Sequence, residues 1–330
     1  MQELGLNRAL VWRWTQYVTI LIVAVAVAWT VWQGWRDLQR QDIDWGALRW
    51  GWLVPAVALT ILGTVPGWLF WHTLLHRFGL PISLKHSFRA FYLSQLGKYV
   101  PGKIMVLAIR ASIASKAPPT INRSESGTTF QPWLVVSAAA VVETLMFIAV
   151  GSGVGVVCGA SLLADQNWVL GLGAALGGSI LFLMLPPVLK FWIVRMPMLK
   201  ERADRQWLAS RWTWSLFAGG SLSFLVGWLL LGGGLLALTM LLPENEASLV
   251  ELPRTVAGVS LSTVIGFISF VPGGLGVREI VLFPILRPRF SAVLILIVMQ
   301  RLVVLLTECL ASAVATIFRL PVPPESRPKD

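Results

Sequence analysis

Lys98-Tyr99-Val100-Pro101-Gly102-Lys103-Ile104-Met105-Val106 returns later in the chain as Ser269-Phe270-Val271-Pro272-Gly273-Gly274-Leu275-Gly276-Val277. From Val100 and Val271 onward four of seven positions are identical, and an aromatic residue precedes each copy. Proline lacks an amide hydrogen and pushes its predecessor out of the α conformation, while glycine accepts a reversed backbone. The breaks fall between apolar, helix-length arms: Ser83–Tyr99 and Lys103–Ser115, then Thr255–Phe270 and Leu275–Leu286. Neither pair of arms has the roughly 17 residues per arm that a crossing of the hydrocarbon requires. Each pair therefore reads as a hairpin that enters the membrane and turns back, broken at Pro101-Gly102 and at Pro272-Gly273-Gly274 with Gly276.

The surroundings of these breaks define the class of protein. Of 330 residues 56% are apolar and only 13% charged, about half the charge of a soluble domain, which excludes soluble enzymes and disordered chains. Apolar runs long enough to span cover Tyr17–Trp35, Trp50–Trp71, Trp133–Cys158, Trp168–Leu189, Trp212–Leu242 and Phe290–Phe318. Many of the 17 tryptophans sit at their edges, where amphipathic rings anchor at the headgroups. The first run lacks a convincing cleavage site and reads as a retained helix. The expected fold is an all-α polytopic membrane protein: about six spanning helices plus two broken re-entrant hairpins. It forms one transmembrane domain over residues 1–318, with a short polar tail at 319–330.

Charge then orients the chain. Leu74–Thr128 carries eight Lys/Arg against one acid and Lys190–Arg211 six against two, whereas Pro243–Arg254 has three glutamates against one arginine. The alternation predicts a cytoplasmic N-terminus and two cytoplasmic basic loops. The net charge of +11 is thus a topology signal, and no nucleic-acid partner is expected. Cys158 and Cys309 lie far apart in apolar runs and predict no disulfide or zinc chemistry.

Val141-Val142-Glu143-Thr144-Leu145 resembles Leu306-Thr307-Glu308-Cys309-Leu310, which extends the repetition to about 50–158 and 212–318. Three spans separate the breaks, so the hairpins enter from opposite sides, the inverted-repeat arrangement of many secondary transporters. Broken backbone in hydrocarbon must be buried in protein or line a wet cavity. Glu143, Arg301 and Glu308 lie inside apolar spans, where an ionised side chain costs about 2.5–3.5 kcal/mol on insertion scales. Arg301 and Glu308 are seven residues apart and share a helix face. The set is expected to face such a cavity; an Arg–Glu packing clamp is the alternative. Lys98, Tyr99, Lys103, Arg110, Arg278 and Glu279 surround the breaks, and their cations suit a phosphate. Lys85 and Arg89 read as topology signals. His72 and His76 are one turn apart but lack a third ligand, so no metal or other cofactor is expected. Gly151/Gly155 and Gly173/Gly177 read as close helix contacts.

Leu96–Lys103 with Arg110, Gly266–Glu279, the acids Glu143 and Glu308, and Ile43-Asp44-Trp45 together resemble the flippase-like transmembrane family typified by the membrane domain of bacterial lysylphosphatidylglycerol synthase (multiple peptide resistance factor). The resemblance runs from about Tyr17 to Phe318. It implies a multi-pass protein of the bacterial inner membrane that moves a membrane lipid or a polyprenyl-phosphate-linked substrate between leaflets, without the synthase's aminoacyl-transferase domain. A transporter is expected rather than an enzyme. The other readings are a membrane glycosyltransferase using Asp42 and Asp44, and a non-catalytic partner of a lipid-modifying enzyme.

Overall fold

The computed structural model describes residues 32, 36, 45–99, 104–115, 131–164, 169, 191, 210–245, 248–269, 271, 274, 276–290 and 292–318. The spans expected at Tyr17–Trp35 and Trp168–Leu189, the pair Gly173/Gly177, Asp42, Asp44 and the tail lie outside the described residues, apart from single positions. Every regular element of more than four residues among those described is an α-helix: α1 (Leu53–Arg77), α2 (Leu84–Gln95), α3 (Ile104–Ala114), α4 (Pro132–Ala164), α5 (Trp214–Thr239), α6 (Leu252–Ile268), α7 (Val277–Leu286) and α8 (Val293–Ile317). Four helices are long and apolar enough to cross a membrane: Trp50–Arg77, Pro132–Ala160, Trp214–Thr239 and Val293–Ile317. They coincide with four of the six expected spans.

Local chemistry explains the ends. A 3₁₀ turn at Trp50–Trp52 leads into α1, with Trp50 Nε1 donating to the Trp45 carbonyl at 3.1 Å and the two rings stacked 6.2 Å apart. α1 passes six residues beyond Trp71 and stops at Gly79, whose φ of +76° reverses the chain. The Leu80 amide then reaches back to the Leu75 carbonyl at 2.8 Å, completing a glycine-terminated cap.

Both interrupted segments fold as two packed arms. α2 continues as a 3₁₀ turn over Leu96–Tyr99, and α3 lies against it. Gly97 permits this approach, since a Cβ there would stand 2.9 Å from the Val106 amide nitrogen. In the second hairpin Gly274 (φ +68°) and Gly276 (φ +79°) turn the chain between α6 and α7. At 1.5 Å per residue the 11-residue α3 and 10-residue α7 are about 15–17 Å long, half the hydrocarbon thickness.

The helices pack reciprocally. α1 crosses α5 at Gly63 and Gly227, where a Cβ on Gly227 would lie 2.9 Å from the Gly63 carbonyl oxygen. The contacts of α2 with α8, α3 with α4, α1 with α8 and α1 with α4 are matched by those of α6 with α4, α7 with α8, α5 with α4 and α5 with α8. Gly151 and Gly155 of α4 are close contacts as expected: an added Cβ would stand 2.5 Å from Trp228 and 2.7 Å from Leu261.

Candidate functional site

Glu143 and Glu308 occupy the corresponding stretches of α4 and α8, yet their environments differ. Arg110, on α3, is 2% exposed, and its Nη1 donates to Glu143 Oε2 at 2.8 Å. Its Nε donates to Ser94 Oγ on α2 at 3.1 Å. Its guanidinium carbon lies 4.6 Å from the Phe91 ring centroid and 4.9 Å from that of Trp71. One arginine thereby ties α1, α2, α3 and α4 together. Arginine suits this role because its planar fork donates along two edges while its faces accept aromatic rings. Arg110, expected as a headgroup cation beside the break, is held within the helix packing by Glu143, Ser94 and two aromatic rings. Ser94 carried no signal in the sequence, because serine is common in apolar helices, and Trp71 read only as a tryptophan at the edge of a span.

The second cluster lies where the two hairpins approach each other. Lys98, in the 3₁₀ turn after α2, donates to Glu308 Oε1 on α8. Arg278, at the start of α7, is near enough to interact electrostatically with Lys98. It folds over two glycines, since a Cβ on Gly266 would stand 2.8 Å from Arg278 Cγ and one on Gly274 2.9 Å from its Nε. Arg301 Nη1 donates to Glu279 Oε1, and Glu279 Oε2 is buried without a hydrogen-bond partner among the described residues. Arg301 and Glu308 thus sit on one helix but meet different partners, α7 and the first hairpin. Ser312, one turn beyond Glu308, donates to the Tyr92 carbonyl at 3.1 Å, and Arg89 donates to the Phe318 carbonyl. α8 and the residue after it are thus strapped at three points to α2 and its 3₁₀ extension. Arg89, which reads as a topology signal, is one of them.

Among the described residues the second cluster holds three cations (Lys98, Arg278, Arg301) and two acids (Glu279, Glu308), a formal excess of 3 − 2 = +1. Lys98, Arg301 and Glu279 retain about a quarter of their side-chain surface, in contrast to Arg110. Lys103, Pro101, Gly102, Pro272 and Gly273 lie outside the described residues, as does the side chain of Tyr99. The His72 and His76 rings meet edge to face with centroids 4.5 Å apart, His76 Nε2 bonds the Ile82 carbonyl at 3.1 Å, and no group of three metal-ligating side chains occurs among the described residues.

Spanning helices, paired half-length arms and ionised side chains inside apolar helices define an integral membrane protein with a charged interior. The chain belongs to the family described as the lysylphosphatidylglycerol synthase TM region, whose model matches residues 16–311. This places it among membrane proteins of lipid metabolism or transport. A search of curated proteins returned no match.

Proposed function

We propose that the protein carries an anionic amphiphile, a lipid or polyprenyl-phosphate-linked sugar, between the leaflets of the bacterial inner membrane, with its N-terminus in the cytoplasm. The observation that carries this reading is the approach of two cations, Lys98 from the first hairpin and Arg278 from the second, at a point where Lys98 is held by Glu308. The reciprocal helix contacts support two inverted repeats, and re-entrant arms fit the short helices. Rocking of one repeat against the other would open this cluster alternately to each side.

The energetics favour a phosphate. Two unit charges 4 Å apart attract by about 4 kcal/mol at an effective dielectric of 20. That is comparable to the roughly 2.5–3.5 kcal/mol that an ionised side chain costs at the bilayer centre on insertion scales. A cluster with one excess positive charge therefore offsets much of the penalty of a headgroup in transit. A phosphate can replace Glu308 as the partner of Lys98 without leaving that cation unpaired.

The test is leaflet exchange of a fluorescent phosphatidylglycerol in vesicles reconstituted with the full chain. Lys98→Gln is expected to slow exchange by about tenfold or more, equivalent to 1.4 kcal/mol, while Lys98→Arg retains most of it. Exchange in the Lys98→Gln vesicles equal to that of the unaltered protein would overturn the reading.

A further inference from the structure

The far end of the second hairpin, opposite its glycine turn, carries an ion cluster that the central site does not use. Glu251, at the N-terminus of α6, is buried and holds two arginines, one on each oxygen: Arg254 Nε at 3.3 Å from Oε2 and Arg289 Nε at 2.5 Å from Oε1. A carboxylate is favoured there by the helix dipole. Arg254 also donates through Nη1 to the Ile285 carbonyl at 2.9 Å, joining the start of α6 to the end of α7. The turn after α7 reads Arg287-Pro288-Arg289 and is exposed. Arg289 is 59% exposed at its side chain, and the Arg287 guanidinium carbon lies 5.7 Å from the Phe283 ring.

We propose that Arg287 and Arg289 form a docking site for the phosphodiester of an anionic phospholipid, distinct from the central cluster. Among the described residues Arg289 is engaged through Nε alone, by Glu251, which leaves the Nη edge for a fork-like contact with phosphate oxygens. Three arginines against Glu251 give this corner a formal charge of 3 − 1 = +2. A free anion would need nothing more. Immediately before Glu251, however, Leu249 and Val250 are 81% and 83% exposed in a 3₁₀ turn. Apolar side chains so placed beside surface arginines match the acyl-chain and headgroup levels of a lipid. Arg287 follows Arg278 by nine residues, about 13 Å along a helix, so a lipid held here stands one arm's length from the central cluster. On the orientation proposed above, it belongs to the outer leaflet, which is not the side where the positive-inside rule calls for basic residues.

The experiment is native mass spectrometry of the detergent-solubilised full chain after equilibration with phosphatidylglycerol or phosphatidylcholine. The unaltered protein is expected to retain phosphatidylglycerol in preference to phosphatidylcholine, less so as salt rises. Arg287→Gln with Arg289→Gln is expected to lower phosphatidylglycerol retention about tenfold at this site, and Lys replacements restore part of it. The same loss is expected when the pair is combined with Lys98→Gln. A failure of leaflet exchange to respond to Lys98→Gln would thus leave this site standing. Equal retention of the two lipids by the unaltered protein, or unchanged phosphatidylglycerol retention in the Gln pair, overturns the proposal. Displacement of the lipid by millimolar inorganic phosphate assigns the arginines to a free anion and also overturns it. Arg287→Gln alone, at an exposed position, supplies the same comparison if the double variant does not fold.

Discussion

Glu143→Ala is expected to destabilise the protein by about 3–5 kcal/mol, because it leaves the Arg110 guanidinium buried with no countercharge. The loss is read as a lowered thermal midpoint and earlier denaturation in detergent. Arg110→Ala should destabilise comparably by stranding Glu143, and it also removes the contacts to Ser94, Phe91 and Trp71. Replacing both partners together, Arg110→Met with Glu143→Leu, should recover most of the stability, since an apolar pair of similar volume carries no desolvation penalty. Single and double variants therefore differ sharply. A Glu143→Ala protein as stable as the unaltered one would mean that the pair is hydrated in the membrane. The sequence leaves two arrangements open for Glu143, a cavity-facing acid whose loss would spare the fold and an Arg–Glu packing clamp whose loss would not. Its burial against Arg110 selects the clamp.

Gly227→Leu is the second large effect. A Cβ at this position would stand 2.9 Å from the Gly63 carbonyl oxygen, a backbone atom of the facing helix that cannot rotate away. α1 and α5 must separate to admit it, and overpacking of this kind costs about 1–3 kcal/mol and sometimes more. Their crossing lies at the centre of the reciprocal packing, so the damage should extend to the contacts of both with α4 and α8. Gly219→Leu is the matched control: nothing lies within 4 Å of its would-be Cβ, and a change within about 0.5 kcal/mol is expected. Equal thermal midpoints for the two variants would show that the crossing tolerates separation.

Much of the architecture was legible because hydrocarbon imposes simple rules on sequence. The arm expected at Lys103–Ser115 is the helix Ile104–Ala114, and that expected at Leu275–Leu286 is Val277–Leu286. Proline and glycine act locally, so their consequences can be read from neighbours alone. The end of α1 was less legible. Hydropathy marks where lipid stops, near Trp71, but hydrogen bonding carries the helix through His72 and His76 to the glycine at 79. Glu251 also escaped notice: it reads as one acid of a loop, and only the return of α7 brings Arg289 to it across 38 residues.

Membrane class, the positions of four described spans and the two interruptions follow from composition and spacing, because each depends on the burial of nearby apolar groups or on backbone chemistry within a few residues. Which cation meets which acid does not. Glu143 and Glu308 stand in similar sequence surroundings, yet one closes on Arg110 within the first half and the other on Lys98 across 210 residues. Charge attraction operates through space and is indifferent to chain order, so the division between a sealed clamp and a partly exposed cluster was decided by how the helices rotate and pack.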